Sequence, residues 1–346
     1  MRILQVMAGA ERGGAEKFFD RLIPALAKRH LQQHVVCRPF PSRVNPFELQ
    51  NIAVTTAPFR RLLDFRTPKI IRGAVDQFQP DIVMTWMSRA SDLCPSGDFV
   101  SVARLGGYYD LKYYQKANYL IGNTVDIQQY FIKERWPSEK TAYLPNFVDP
   151  PADVASQNRA VYNTPENAFL ILSMGRFHDD KAFDILIPAL VSLSDVYLWL
   201  VGEGEREVSL RTLAQRHGVQ DRVRFIPWQY NVGTLYRAAN AYICPSRIEP
   251  LGNVIIEAWA YGLPVIAAKS AGALGLIQEG ENGLLVPLED IEGMAQAIQR
   301  VQQEANLASD LAKAGEETYL DHFTEEKVCR QYIDFFHKIL QTKPKV

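Results

Sequence analysis

Residues 168–201 read AFLILSMGRFHDDKAFDILIPALVSLSDVYLWLV, and their order decides the fold class. An apolar run over 168–174 gives way to a polar loop, then to an apolar stretch of helical length, then to a second apolar run over 196–201. Unbroken apolar runs of this length suit strands covered on both faces, which is how parallel sheets crossed by helices are built. The pattern continues downstream, with strands expected over 223–226, 241–244 and 264–267. Upstream it recurs over 2–7, 34–37, 81–86, 99–103 and 119–122, and residues 15–30 and 67–78 carry apolar side chains at the three-to-four spacing of crossover helices. Between the two halves, residues 145–167 are rich in Pro, Asn and Asp and lack apolar periodicity, which marks a linker. The expected architecture is α/β, with two Rossmann-like doubly wound domains over 1–150 and 151–323 facing each other across a cleft. Residues 324–346 are expected to add a final amphipathic helix.

Composition agrees with this. The chain has 346 residues, 47% hydrophobic and 22% charged, which excludes disorder and a small stapled scaffold and leaves room for two cores. No apolar run approaches the roughly 20 residues that span a bilayer, and the first residues lack a signal-peptide pattern, so a cytoplasmic location is expected. Cys37, Cys94, Cys244 and Cys329 are scattered singly, as reduced structural residues would be, with no zinc-like cluster. Residues 1–150 carry 20 basic and 14 acidic side chains, against 18 and 25 in the remainder. Arg60, Arg61, Arg66, Lys69 and Arg72 fall within 13 of those first residues. Two readings stay open: an anionic partner, such as a phosphorylated acceptor or the inner face of the cytoplasmic membrane, or an ordinary solvated surface. No nucleic-acid partner is expected.

The segment with most chemistry follows the strand at 241–244: Glu249-Pro-Leu251-Gly252-Asn253-Val-Ile-Ile-Glu257-Ala-Trp-Ala-Tyr-Gly262-Leu-Pro264-Val. It reads as a loop entering a helix. Backbone amides at Leu251, Gly252 and Asn253, with the helix dipole, form a seat for phosphate, and Gly252 is expected to let a ligand approach the backbone. Glu249 and Glu257 offer acceptor-only carboxylates suited to sugar hydroxyls. Taken singly, they also read as a solvated loop residue and a dipole-favoured helix residue. A second segment, Ser173-Met-Gly175-Arg176-Phe-His178-Asp-Asp-Lys181-Ala182, follows the strand at 168–174, where α/β sheets hold their ligands. Arg176 and Lys181 are suited to offset the charge on a departing diphosphate. Near the N-terminus, Ala8-Gly9-Ala10-Glu11-Arg12-Gly13-Gly14-Ala15-Glu16 joins a strand to a helix without the dinucleotide fingerprint or a P-loop lysine.

The glutamate pair with seven intervening residues, followed by a small residue, a glycine and Pro-Val, resembles the signature of the retaining glycosyltransferases of family 4, which have the GT-B fold. The resemblance extends over nearly the whole chain. It is carried also by Gly175-Arg176 with Lys181, by Gly13-Gly14 with Glu16, by Leu144-Pro145-Asn146-Phe-Val-Asp149 and by Val201-Gly202-Glu203-Gly204-Glu205. Ala182 stands where the family has a second glycine. The resemblance implies that Glu249 contacts the transferred sugar, that Leu251, Gly252 and Asn253 hold the distal phosphate, and that Glu257 binds the ribose. Arg176, Lys181 and Glu249 become the expected catalytic residues. Gly13, Gly14 and Gly175 join the donor-binding set, as does Trp228, which lies where the nucleobase packs in relatives but also reads as a core aromatic. Many relatives carry a histidine after a first-domain strand. Here the position is occupied by Ala103-Arg104-Leu-Gly106-Gly107-Tyr108-Tyr109-Asp110, so Glu16, Arg104, Tyr108 or Asp110 is expected on the acceptor side.

The activity implied is transfer of a sugar from a nucleotide sugar, UDP-linked by preference, to a glycan or lipid-linked glycan in envelope polysaccharide or lipopolysaccharide synthesis. No Asp-x-Asp motif is present, so no metal or other cofactor is expected. Rival readings are a phosphorylase or sugar-phosphate synthase on the same fold, and a non-catalytic glycan-binding partner subunit.

Overall fold

The computed structural model describes residues 1–11, 13–61, 63–149, 151, 153–229 and 231–342. Arg12, in the glycine loop, and residues 343–346 of the final expected helix lie outside the described residues. The chain divides into two compact units, one of Met1–Phe147 with Glu325–Val346 and one of Val148–Thr324.

In the first unit the described strands are β1 (Arg2–Met7), β2 (Gln32–Cys37), β3 (Ala53–Thr56), β4 (Ile82–Trp86), β5 (Val100–Leu105), β6 (Tyr119–Gly122) and β7 (Thr141–Tyr143). They form one sheet in the order β3-β2-β1-β4-β5-β6-β7, parallel throughout. Period-two alternation sends Ile3 and Met7 to one face and Leu4 and Val6 to the other, and both faces are covered. Helix Gly14–Ala27 places Phe18, Phe19, Leu22, Ile23 and Leu26 on the first face. Helix Glu325–Gln341 adds Val328, Cys329, Tyr332, Phe336 and Ile339 to the same core, each fully buried large side chain contributing about 1.5–3 kcal/mol.

The second unit holds β8 (Phe169–Met174), β9 (Val196–Val201), β10 (Val223–Ile226), β11 (Ala241–Cys244), β12 (Val265–Ala268) and β13 (Leu284–Val286), again all parallel, in the order β10-β9-β8-β11-β12-β13. Ile171, Leu198 and Ile243 face one core, and Leu172, Trp199 and Tyr242 the other. Both sheets are therefore doubly wound, and each reverses strand order next to its first strand, at β1/β4 and at β8/β11.

The boundary between the units, at Phe147/Val148, lies within the expected linker 145–167, whose described part is packed. Asn146, Phe147 and Val148 are buried, and Arg159 donates to the carbonyls of Ala238, Glu166 and Ala168 and to Asn240 Oδ1. A low apolar periodicity conceals this packing because polar side chains bonded to backbone carbonyls hold it together.

Candidate active site

In the 148–324 unit, the loops leaving β8 and β11 flank the point where the strand order reverses. After β8, the turn Asp179–Lys181 ends at Ala182, whose φ of 50° swings the chain into helix Phe183–Ala189. Alanine in this left-handed conformation costs about 1 kcal/mol that glycine would not. Lys181 Nζ reaches across to Glu249 Oε2 at 2.6 Å, so an ammonium and a carboxylate bridge the reversal point. Glu249 Oε1 accepts the Gly252 N–H at 3.3 Å. That amide, expected to be open to phosphate, is already engaged.

Gly252, at φ 83°, opens helix Asn253–Ala260, and a Cβ there would lie 3.0 Å from Leu276 Cδ1 and 3.1 Å from Ile255 Cδ1. The turn and the packing beneath it therefore both favour glycine here. Leu251 is buried behind the loop, and Asn253 is the first helical residue, in the turn whose amides lack intrahelical acceptors. Glu257, one turn further, accepts a hydrogen bond from Tyr236 Oη at 3.2 Å. Burial pushes the Tyr236 hydroxyl well above its ordinary pKa, so it stays a donor, and its ring stacks on Tyr261 at 4.9 Å.

Arg176 is exposed and makes no ion pair with a described residue. Gly175, before it, is pressed by the turn after β9: a Cβ on Gly202 would fall 1.9 Å from the Gly175 carbonyl oxygen. Trp228, after β10, is 51% exposed, with its amide on Glu203 Oε1 at 3.4 Å. The core reading of Trp228 is therefore wrong, and its indole is open for stacking.

Arg247, which the motif reading passed over, ties the two loops together. Its guanidinium bonds both Asp184 oxygens at 2.8 Å, Glu289 Oε2 at 2.7 Å and the Asp179 carbonyl at 2.8 Å. Hydrogen bonding to Arg247 holds the Asp184 carboxyl below its ordinary pKa. The only signal in the sequence was its place shortly after a strand end. Among the described residues no group of three or more metal-ligating side chains comes together.

In the other unit, the loop after β1 is organised from beneath. Glu16 is 5% exposed, and its Oε1 accepts the Ala10 N–H at 2.9 Å. A Cβ on Gly9 or Gly13 would come within 2.3 Å of that carboxylate. Glu16 therefore faces the loop interior, which corrects its acceptor-side expectation, and its carboxylate fills the space a Cβ on Gly13 would need. Gly14, by contrast, has open space where a Cβ would stand. Arg43, 2% exposed and unforeseen from sequence, donates to the carbonyls of Ala10 and Glu11 at 3.1 Å each and to Asp20 Oδ1 at 2.7 Å.

Arg104 is 3% exposed, and its guanidinium lies 4.6 Å above Phe18 and 4.8 Å above Trp86. It donates to Tyr332 Oη at 2.8 Å and to Asn146 Oδ1. This corrects the acceptor-side expectation: Arg104 pins helix Glu325–Gln341 to the sheet. Asp110 is also committed, accepting from the Lys112 N–H at 3.0 Å and pairing with its Nζ at 2.6 Å. Tyr108, accessible like Asp110, is half-exposed beside an open cleft of about 600 Å³ that Tyr130 and Lys133 also line. Its hydroxyl donates to Asp126, and burial with that carboxylate pushes its pKa up to about 12.

Comparison with known proteins identifies the chemistry. Residues 154–318 match the family model described as Glycosyl transferases group 1. The chain is 36% identical to the lipopolysaccharide core biosynthesis glycosyltransferase LpsE of Rhizobium meliloti, over 96% of this chain and 97% of that one. LpsD of the same organism is 34% identical over 98% of each. The chain belongs to the group 1 glycosyl transferases.

This glycosyltransferase also shares its fold with solved structures of low sequence identity. A glycosyltransferase of Rickettsia africae superposes with a TM-score of 0.88 at 20% identity, over 99% of both chains. Anabaena HepE, solved in complex with UDP and glucose, gives 0.80 at 22% identity, over 98% of this chain and all of that one. The two Rossmann-like units are those of a GT-B glycosyltransferase. Its four cysteines are free and buried, and burial raises Cys37 and Cys244 to about 11 and Cys94 and Cys329 to about 12, so they remain neutral thiols.

Proposed function

We propose that this glycosyltransferase is a retaining, metal-independent enzyme of family 4 that transfers a hexosyl group from a UDP-sugar to a glycan or lipid-linked glycan of the lipopolysaccharide core. The observation that carries the reading is the Lys181–Glu249 pair across the β8/β11 reversal point, with the unpaired Arg176 on the same loop as Lys181. The names of its R. meliloti relatives support the acceptor class, and HepE, solved with UDP and glucose, supports the donor class.

In this reading Arg176 and Lys181 hold the diphosphate and offset the charge that grows on it as the sugar leaves, a task that does not require a metal ion. Glu249 takes a hydroxyl of the transferred sugar, Glu257 the ribose, and Trp228 stacks on the base. The bond from the anomeric carbon to the diphosphate oxygen breaks while the acceptor oxygen bonds the same face, and the acceptor proton passes to the departing oxygen. Retention follows. On the acceptor side, Tyr108 and Asp110 are the exposed residues of the expected set, and Gly14 borders the loop.

No described helix is long and apolar enough to cross a membrane. Leu63 and Phe65, 81% and 73% exposed, stand among Arg60, Arg61 and Arg66, which supports a peripheral seat on an anionic inner leaflet. The enzymatic reading is tested by a panel of nucleotide sugars assayed in EDTA, with the anomeric configuration of the product read by NMR. Transfer from a UDP-sugar with retained configuration is expected. Inversion would remove the retaining assignment, and activity abolished by EDTA but restored by Mg²⁺ would remove metal independence.

A further inference from the structure

The carboxyl edge of the 1–147 sheet holds two arginines without a carboxylate partner. Arg38 directly follows β2, and Arg89 stands in the short helix Ser88–Leu93 after β4. In the sheet, β1 and its glycine loop run between those two strands. Both guanidinium groups converge on one acceptor, the carbonyl oxygen of Phe59, Arg38 Nη2 at 2.7 Å and Arg89 Nη1 at 3.2 Å. Among the described residues neither makes an ion pair, and Arg38 Nε is buried with no hydrogen-bond partner. Arg43 and Arg247, by contrast, each bond a carboxylate.

Such an arrangement is unfavourable by itself. The Arg38 pKa falls below its ordinary value, first through burial and then through the neighbouring Arg89 charge. The backbone on either side is strained as well. Phe59 adopts φ 45° and Met87 φ 73°, left-handed values that a bulky side chain rarely takes. The conformation of Phe59 is held by Thr67, fully buried, whose Oγ1 accepts the Phe59 N–H at 3.0 Å and donates to Asp64 at 2.6 Å. Repulsion, an unmet donor and two strained residues coincide beside the β1/β4 reversal point, where α/β sheets hold ligands. A dianion with several acceptor oxygens removes the first two penalties at once, and a pair of guanidinium forks matches phosphate oxygens better than it matches a single carboxylate.

We propose that Arg38 and Arg89 form a binding site for a phosphate monoester in the acceptor-side unit. This rests on the reading that the 1–147 unit takes the acceptor, and it gives that acceptor, or the lipid surface holding it, a phosphate. The site is separate from the diphosphate seat of the other unit and shares no residue with it.

The test is a thermal-shift and calorimetric titration of inorganic phosphate on the full chain, at constant ionic strength and with UDP saturating the donor seat. Phosphate is expected to stabilise the wild type and Arg176→Ala alike, while Arg38→Gln and Arg89→Gln each weaken its binding tenfold or more. Arg89→Gln without phosphate is expected to melt no lower than the wild type, since it relieves the repulsion, and this shows that the variant is folded. Mannose 6-phosphate and vesicles of phosphatidic acid in phosphatidylcholine are the two further arms. Whichever of them shows an arginine-dependent response supports the site and names its source. No phosphate response, or one that survives both substitutions, overturns the proposal. A chain that fails to bind UDP counts against the donor reading alone, because the arginine variants still decide this one.

Discussion

At the carboxyl edge of the 148–324 sheet, charged side chains cross the reversal point in pairs. At the same edge of the 1–147 sheet they are sunk beneath the loops or turned onto backbone carbonyls. Lys181 meets Glu249, and Arg247 meets Asp184 and Glu289, side chain to side chain between neighbouring loops. In the other unit Glu16 accepts a backbone amide and Arg43 divides its hydrogen bonds between the Ala10 and Glu11 carbonyls and Asp20, while Arg38 and Arg89 share one carbonyl oxygen. One strand order thus supports two ways of fixing a loop. Side-chain pairs fix the loops at one edge, and buried side chains bonded to the backbone fix the loop after β1 at the other.

The contrast breaks most readily at Arg104. Arg104→Ala removes a buried cation from two hydrogen bonds and two aromatic faces, and is expected to cost about 3–5 kcal/mol in urea unfolding. Asp110→Ala, which removes an exposed carboxylate paired with Lys112, is expected to move the unfolding midpoint far less. Equal effects would mean that the buried and exposed sets do not differ as described.

Lys181→Ala probes the paired edge. Loss of its charge-assisted bonding is expected to lower kcat/KM by about 10- to 150-fold, or about 1.5–3 kcal/mol, with little change in stability. A folded variant with unaltered turnover would show that the pair is only a strut. At the loop beneath it, Gly252→Ala is expected to destabilise the 148–324 unit by about 1–2 kcal/mol, because φ is 83° and two methyl groups stand close. Ala182→Gly, at φ 50°, should move stability the other way, and denaturation of both variants reads the sign.

The smallest effect concerns pH. Asp184 has a folded pKa depressed by Arg247, so its contribution is complete above the unfolded value of about 3.9 and is lost as pH falls through the lower folded value. With the side chain about one-third exposed, solvent screening keeps that contribution below about 1 kcal/mol. Asp184→Asn should flatten the stability profile below about pH 4 and leave its shape above pH 5 unchanged. An unchanged acid limb would place the acid sensitivity elsewhere.

How much of this was legible in the sequence follows the same contrast. The runs at 2–7, 119–122, 196–201, 223–226 and 241–244 are strands with those limits, because strands covered on both faces leave continuous apolar text. β3, β7 and β13 were not seen. They have four, three and three residues, and β3 and β7 are only partly buried, so no run forms. Lys181 and Glu249 were legible because each lies in a contiguous motif. Arg43, Arg247, Arg38 and Arg89 were not, since their partners, Asp20, Asp184 and Phe59, are far away in sequence and only the folded chain brings them together. The two readings of Trp228 stayed open and Arg104 was misjudged for a related reason: a residue's type does not fix its burial, and the tryptophan is exposed while the arginine is buried.

In the proposed function, the paired edge of the 148–324 unit seats a nucleoside diphosphate through Arg176 and Lys181. Calorimetric titration of UDP in EDTA, on the wild type and on Arg176→Ala, tests it most directly. Binding to the wild type is expected, weakened about 10- to 150-fold in the variant by loss of charge-assisted bonds worth about 1.5–3 kcal/mol. Equal affinities in two folded proteins, or no binding of UDP by the wild type, would contradict it.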